Sequence, residues 1–140
     1  MFLLDTNVIS ELRRKNQFDA NVYAWSQAVP LESLYVSVVT VMEIEQGILL
    51  VGRRDHRQAG ALRSWMTEQF LPRFAERVLA FDTVAALRCA AIHVPDPKPD
   101  RDSMIAATAS VHGLTVATRN VRDFEACGVP LFNPWLYASP

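Results

Sequence analysis

Short apolar runs that end on polar residues recur along the chain, and they constrain its fold more than any other feature. The first run is Phe2–Leu4, which is followed at once by Asp5. A run this short and wholly apolar is typical of a strand buried on both faces, as in a parallel sheet flanked by helices. Further strand candidates are residues 35–39, 78–81, 114–117 and 129–132. The chain is therefore expected to contain a sheet of short parallel strands.

Helical patterns separate these strand candidates. Helices are predicted at about residues 7–14, 19–28, 40–51, 55–70, 82–93 and 102–113, with a short one from Val121. Pro72 is expected to end the longest of them, and Gly113 is expected to cap the helix before it. The alternation of strands and helices predicts an α/β fold, a three-layer α/β/α sandwich with a mainly parallel central sheet. At this length, residues 1–140 are expected to form a single domain.

Acidic residues lie at the starts of several predicted helices. Asp5 follows the first strand, and Glu43, Asp102 and Asp123 fall where helices are predicted to begin. In an open α/β fold these positions converge on the crevice outside the carboxyl ends of the strands, so the carboxylates are expected to meet in one pocket. The alternative is that each carboxylate caps a helix, since Thr40 and Glu43 have the spacing of a capping box. Capping alone does not explain why carboxylates beside Thr or Ser should follow separate strands.

A pocket of convergent carboxylates needs a cation. Two unit charges about 4 Å apart repel by roughly 4 kcal/mol at an effective dielectric constant near 20. Mg²⁺ or Mn²⁺ reverses the sign of that energy, and Mg²⁺ is commonly held by one or two carboxylates, waters and phosphate oxygens. Such a site could activate a water for in-line attack on a phosphodiester. The residues therefore point to nuclease chemistry at a divalent-metal site.

Four ordered blocks of sequence resemble one protein family. They are residues 4–9 (LDTNVI), 37–43 (SVVTVME), 102–109 (DSMIAATA) and 116–124 (VATRNVRDF). These blocks resemble the PIN-domain ribonucleases, specifically the VapC toxins of bacterial type II toxin-antitoxin pairs, and residues 132–135 (FNPW) resemble the ending of the FitB-like branch. The resemblance implies an endoribonuclease that depends on Mg²⁺ or Mn²⁺ and hydrolyses RNA with metal-activated water. It also implies a VapB-type antitoxin as the partner that neutralises the protein.

The resemblance assigns roles to individual residues. Asp5, Glu43 and Asp102 match the first three acidic positions of the family, with Asp5 and Asp102 as metal ligands. The fourth position falls at Asn120, where many relatives have Asp, and Asp123 is expected to supply the missing catalytic carboxylate. The residues expected to orient the carboxylates are Thr6, Asn7, Ser37, Thr118 and Asn120.

Binding of RNA is expected to depend on a local basic patch. The net charge of −1 leaves no strongly basic field over the whole chain. The expected RNA contacts are Arg119, Arg122, Arg101 and Lys98, with Arg13, Arg14 and Lys15 as further candidates. The alternative for each is an ordinary solvated charge on the surface.

Partners and compartment are predicted from apolar patterns. An apolar stripe on the predicted helix at residues 55–70 is interpreted as core, although in the family the corresponding helices hold antitoxin and form a homodimer. A homodimer, or a heteromer of toxin and antitoxin pairs, is therefore expected. No apolar run approaches the length of a membrane span, so the cytoplasm is the expected compartment. Cys89 and Cys127 are interpreted as core residues rather than as zinc ligands or a disulfide.

Two other functions compete with the ribonuclease. A phosphotransfer enzyme of the dehalogenase type needs an Asp where this chain has Asn7, and the receiver type needs a lysine late in the chain. The only lysines are Lys15 and Lys98. The second alternative is a catalytically weak PIN-type module that binds RNA or protein, which the departure at Asn120 favours.

Overall fold

One wholly parallel sheet organises the molecule. The computed structural model describes residues 1–140 except for the side chain of Lys15. The five strands are β1 (Phe2–Leu4), β2 (Leu34–Ser37), β3 (Val78–Leu79), β4 (Thr115–Ala117) and β5 (Leu131–Phe132). Their order across the sheet is β3-β2-β1-β4-β5, and every neighbouring pair is parallel. The predicted α/β fold with a parallel central sheet is confirmed.

Helices connect the strands. They are α1 (Thr6–Arg13), α2 (Ala20–Ala28), α3 (Val38–Gly52), α4 (His56–Trp65), α5 (Leu71–Arg73), α6 (Thr83–Ile92), α7 (Asp100–His112) and α8 (Val121–Phe124). A π-helical turn, Met66–Phe70, joins α4 to α5. The helical path therefore continues past Pro72, which was predicted to end it, because proline is tolerated in the first turn of a helix. None of the helices in the described part of the chain is both long and apolar enough to cross a membrane.

Two hydrophobic cores lie on opposite faces of the sheet. Successive side chains of a strand point to opposite faces, so Leu4 joins one core with Trp25 and Phe70, whereas Leu3 joins the other with Phe124. Both leucines are fully or almost fully buried. Burial on both faces explains why β1 is apolar without alternation and confirms the three-layer arrangement. Cys89 and Cys127 are buried and unbonded to each other, as predicted for core residues.

The predicted capping box at Thr40 and Glu43 is wrong. Strand β2 ends at Ser37, and the Ser37 hydroxyl caps α3 by accepting a hydrogen bond from the Val39 N–H at 3.0 Å. Helix α3 therefore begins at Val38, which places Glu43 in its second turn. The cap lies earlier than predicted because the strand stops pairing two residues sooner.

The start of α7 also differs from the prediction. The helix begins at Asp100, and the capping position is Pro99, which provides no side-chain cap. Asp102 therefore lies inside the first turn and caps nothing. At its other end α7 stops at Gly113 as predicted, with φ of 67° and a hydrogen bond of 2.9 Å from the Leu114 N–H to the Ala109 carbonyl.

The strand order creates a switch point between β1 and β4. Strands β2 and β3 lie to one side of β1, and β4 and β5 lie to the other. Connections that leave in opposite directions open a crevice at the carboxyl ends of the two central strands, which is where ligands bind in open α/β sheets. Asp5 directly follows β1 and Thr118 directly follows β4. The sheet thus brings these two residues to one edge.

Candidate functional site

Asp5 is held at the switch point by three hydrogen bonds. It is only 5% exposed. Its Oδ1 accepts from the Thr6 N–H at 2.8 Å, and its Oδ2 accepts from the Thr118 hydroxyl at 2.8 Å and from the Asn7 amide at 3.3 Å. Hydrogen bonds to a carboxylate favour its charged form and restrict its orientation. Asp5 is therefore a fixed acceptor at the base of the crevice.

The hydroxyl of Thr118 ties the ends of β1 and β4 together. Besides donating to Asp5, its Oγ1 accepts from the Asn120 N–H at 2.9 Å and from the Asn7 amide at 3.3 Å. The Asn7 side-chain amide oxygen, Oδ1, accepts from the Arg119 backbone N–H at 3.4 Å. These contacts join residues more than a hundred positions apart in sequence. The loop after β4 is consequently positioned by the same network that positions Asp5.

Glu43 reaches the crevice from the second turn of α3. Its Oε1 accepts from the Thr6 hydroxyl at 2.8 Å, and its Oε2 lies 3.5 Å from the Arg101 guanidinium. Arg101 also donates to the Gln46 side-chain oxygen at 2.9 Å. Thr6 therefore contacts Asp5 through its backbone and Glu43 through its side chain. One residue sets the relative positions of both carboxylates.

The acidic residues share an open pocket of about 490 Å³. Asp5, Glu43 and Asp102 line it, together with Asn120. Asp123 is exposed in the first turn of α8 and does not line the pocket, although its charge acts on Asp5 and Asp102. The other lining residues are Thr6, Asn7, Ser10, Glu11, Arg13, Arg14, Arg119 and Trp135.

Several residues predicted for the site lie elsewhere. In the described part of the chain, no hydrogen bond joins Ser37 to a carboxylate, because its hydroxyl caps α3. Lys98 donates from its ammonium group to the Asp96 carbonyl, and neither Lys98 nor Arg122 lines the pocket. Arg119 does line it, and Arg101 adjoins it through Glu43.

The pocket raises the pKa values of two carboxyl groups. Burial raises the pKa of Asp5, and the charges of Glu43 and Asp123 raise it further against the lowering effect of its hydrogen bonds. Burial and repulsion from the other three acidic residues raise the pKa of Asp102 to about 6. Both shifts mean that negative charge is unfavourable here without a counter-ion. The pocket is thus electrostatically suited to a cation.

The donor set fits a hydrated Mg²⁺ or Mn²⁺ ion. Among the described residues, no three side chains of His, Cys, Asp or Glu lie close enough together to hold a metal ion. A full cage of protein ligands is therefore absent from that part of the chain. Mg²⁺ instead is commonly bound by one or two carboxylates and several waters. Asp5 and Asp102 both line the pocket and are the residues that could make up that smaller set.

Sequence reasoning missed three residues of the pocket, Ser10, Glu11 and Trp135. Glu11 is buried, and its carboxylate accepts from the Asp19 N–H at 2.6 Å and pairs with Arg14 at 3.3 Å. The spacing of four between Asn7 and Glu11 on α1 would have placed both on one helix face. Trp135 comes from the far end of the chain, and no local pattern links it to the site.

Replacing Thr118 with Val is expected to weaken divalent-metal binding. The variant loses the donor to Asp5 and leaves the Asn120 N–H without its acceptor. We expect affinity for Mn²⁺ to fall about 10- to 100-fold, and the free energy of unfolding to fall by about 1–3 kcal/mol. Titration calorimetry with Mn²⁺ and thermal melting would measure the two effects.

Thr108→Val is the matched control. Thr108 is as buried as Thr118, but its hydroxyl donates to the Met104 carbonyl within α7, at 2.9 Å. Affinity for Mn²⁺ should be unchanged in this control. Equal losses of affinity in the two variants would show that Thr118 acts through general stability rather than by orienting Asp5.

Known proteins resemble this chain over nearly its whole length. The family model of the PIN domain matches residues 2–128. The chain is 40% identical to toxin FitB of Neisseria gonorrhoeae, over 96% of this chain and 99% of that protein. It is 39% identical to a VapC ribonuclease of Sinorhizobium fredii, over 96% of this chain and 98% of that protein. The crystal structure of FitAcB from Neisseria gonorrhoeae matches with a TM-score of 0.89 and 40% identity, over 97% of this chain and 99% of that one. The chain belongs to the PIN-domain family.

Proposed function

We propose that this protein is the toxin of a type II toxin-antitoxin pair and acts as a metal-dependent endoribonuclease. The observation that carries the proposal is the pocket shared by Asp5, Glu43 and Asp102 at the switch point of a PIN-domain sheet. Two relatives of nearly equal length are named a toxin and a ribonuclease. Pocket and relatives support the same chemistry, hydrolysis of RNA phosphodiester bonds.

Divalent-metal dependence is general among PIN-domain ribonucleases. For this chain we infer Mg²⁺ as the ion, with Mn²⁺ as the alternative, held by Asp5 and Asp102. When bound, the ion would activate a water for attack and neutralise charge on the phosphodiester. Asp5 would remain oriented by Thr6 and Thr118 throughout, since their hydrogen bonds do not depend on the ion.

Glu43 is the proposed acceptor of the water's proton. Its Oε1 accepts from Thr6 and its Oε2 faces Arg101, so both oxygens of the carboxylate that would take the proton are held in place. Arg101, 3.5 Å from Oε2, would help to orient the Glu43 side chain towards the pocket. The fourth acidic position of the family is occupied here by Asn120, which would provide a side-chain oxygen at the edge of the pocket. Asp123 would contribute the negative charge that Asn120 lacks.

RNA is proposed to enter beside Arg119, which lines the pocket together with Arg13 and Arg14, two of the further predicted contacts. Arg101, Arg122 and Lys98 would contact more distant phosphates.

We propose a VapB-type antitoxin as the protein partner, in a homodimer or a heteromer of toxin and antitoxin pairs. Residues 1–140 would form a single PIN domain, since β1 and β5 belong to one sheet. The protein would act in the cytoplasm, where its substrate lies.

Cleavage of total RNA by the purified protein tests this function. Discrete fragments are expected with Mg²⁺ or Mn²⁺ and none with EDTA, and activity should return when metal is restored in excess. Cleavage that persists unchanged in EDTA would contradict the metal-dependent mechanism. Absence of cleavage across transfer, ribosomal and messenger RNA would favour the alternative, a catalytically weak binding module with Asn120 at the fourth position.

A further inference from the structure

We propose that Arg119 and Trp135 together form a stacking surface for a nucleobase at the edge of the carboxylate pocket. We call this pair the Arg119–Trp135 shelf. Its ligand is a base of single-stranded RNA next to the phosphate that is cut, so the inference rests on the proposed ribonuclease function. The shelf adds a base-binding position to a pocket whose other groups act on the phosphate.

The geometry of the pair suits a stacked ligand. The Arg119 guanidinium carbon lies 5.2 Å from the centre of the Trp135 ring, within the range of about 6 Å for a cation–π contact. Both residues line the pocket that holds Asp5 and Asp102. Arg119 is exposed, whereas Trp135 is half-buried against the core. The ring thus supports the guanidinium from the protein side and leaves it accessible to a ligand.

Hydrogen bonds anchor both members of the shelf. The Arg119 backbone N–H donates to the Asn7 side-chain oxygen, Oδ1, at 3.4 Å. The Trp135 backbone N–H donates to the Asn133 side-chain oxygen at 2.9 Å, and the Trp135 backbone carbonyl accepts from the Asn21 side-chain amide at 2.8 Å. A surface built from anchored residues loses less conformational entropy when it binds a ligand. The backbone that carries the shelf is therefore held in place before RNA arrives, and the cation–π contact brings its two side chains together.

Arg119 differs from two arginines in or beside the pocket, Arg14 and Arg101, because it has no acidic partner among the described residues. Arg13, which also lines the pocket, contacts Trp65 instead, with its guanidinium carbon 5.9 Å from the ring centre. Arg14 pairs with Glu11 at 3.3 Å and Arg101 with Glu43 at 3.5 Å. Within the described residues Arg119 forms no salt bridge, and its one aromatic contact is Trp135. Its charge and its planar group are therefore not committed to an acidic partner.

A base explains this arrangement better than a phosphate alone. A phosphate contact needs the charge of Arg119 but not an aromatic ring beneath it. Unstacked RNA bases, in contrast, are commonly held on aromatic rings and guanidinium planes. A metal ion held by the carboxylates would attract the phosphate, which the carboxylates alone would repel. The base on the neighbouring nucleotide would then lie towards Trp135.

Binding of single-stranded RNA oligonucleotides carrying 2-aminopurine at each position in turn tests the shelf. The titrations are done in EDTA, so that binding is measured apart from cleavage. We expect one labelled position to lose fluorescence strongly on binding, which reports stacking. Arg119→Lys retains the positive charge but lacks the planar guanidinium group. This variant should lose the fluorescence quenching and bind the RNA about 5- to 10-fold more weakly. The salt dependence of its binding should be unchanged, because the charge is unchanged.

Substitutions of Trp135 complete the design. Trp135→Leu removes the ring and should resemble Arg119→Lys, whereas Trp135→Phe keeps an aromatic face and should retain most of the quenching. Arg53→Lys, on an exposed arginine after α3, should bind like the unchanged protein. If thermal melting shows that Trp135→Leu does not fold, the quenching and affinity of Arg119→Lys alone test whether the shelf stacks a base.

The outcomes separate the shelf from the proposed function. Unchanged quenching and affinity in both Arg119→Lys and Trp135→Leu would overturn the shelf, even if the protein cuts RNA with metal. Loss of quenching in the variants would support the shelf even if the unchanged protein cuts no RNA, and in that case the nuclease proposal would fall by itself.

Discussion

Asp5→Asn is expected to abolish RNA cleavage and growth inhibition. The substitution removes one charge from the proposed metal site, and the amide cannot replace a carboxylate as an anionic ligand. A loss of about 100- to 1000-fold or more in cleavage rate is expected. Folding should survive, because the amide is nearly isosteric and removes repulsion from a carboxyl group whose pKa is raised by burial and by Glu43. Cleavage of total RNA and growth of cells expressing the variant are the two measurements.

Asp82→Asn is the control for this experiment. Asp82 caps α6 by accepting from the Ala85 N–H at 3.0 Å, far from the pocket in sequence and absent from its lining. Asn caps helices about as well as Asp, so this variant makes the same chemical change without loss of structure. It should cleave RNA normally. Normal cleavage by Asp5→Asn would show instead that the metal site has been placed wrongly.

Asp102→Asn is expected to abolish cleavage and yet to stabilise the metal-free protein above about pH 6. The pKa of Asp102 is raised from 3.8 to about 6 by burial and by the charges of Asp5, Asp123 and Glu43. The folded state therefore binds the proton more tightly than the unfolded state. The stability that this contributes is present below the ordinary pKa and is lost as pH rises through about 6. The amide never acquires the charge, so the variant avoids this loss.

The pH dependence of melting measures this effect. In EDTA, the melting temperature of the unchanged protein should fall relative to that of Asp102→Asn between about pH 4 and pH 7. The expected gain for the variant near pH 7 is about 1 kcal/mol after allowing for solvent screening of a half-exposed group, or roughly 3–5 °C. If the melting temperatures of the two proteins differed by the same amount at every pH, the repulsion between Asp102 and the other acidic residues would be contradicted.

Added metal should reverse the difference in melting temperature between the unchanged protein and Asp102→Asn. Mg²⁺ or Mn²⁺ binds the folded state and raises the melting temperature in proportion to the logarithm of its concentration. The unchanged protein should gain stability with metal at pH 7 and above, and Asp102→Asn should gain much less. A similar gain in both proteins would show that the ion binds away from Asp102.

Local patterns were enough to predict the elements that carry the site. The apolar run of β1 followed by Asp5 indicated a strand end, and Gly113 indicated the turn into β4. The order of strands and helices indicated an α/β sandwich. These signals are local because a buried strand needs apolar residues on both faces, and because a left-handed turn favours glycine. The resemblance of the four sequence blocks to the PIN-domain ribonucleases then indicated metal-dependent hydrolysis of RNA.

The capping box at Thr40 shows where local patterns fail. Ser37 and Thr40 are both suitable caps, and the choice between them depends on where β2 stops pairing with its neighbours. Those neighbours are β1 and β3, which lie far away in sequence. A side-chain cap contributes only about 1 kcal/mol, so sheet pairing decides the boundary.

The sequence by itself determined the kind of site, a set of carboxylates at strand and helix ends in an α/β chain. Only the tertiary structure decided how those residues meet. Asp5 and Thr118 are 113 residues apart, and Arg119 reaches Trp135 only because β4 and β5 are neighbours in the sheet. Contacts of this kind have no local signature, because parallel pairing joins segments that are separated by whole helices. Glu11 and Trp135 therefore took their places in the site only once the chain was folded.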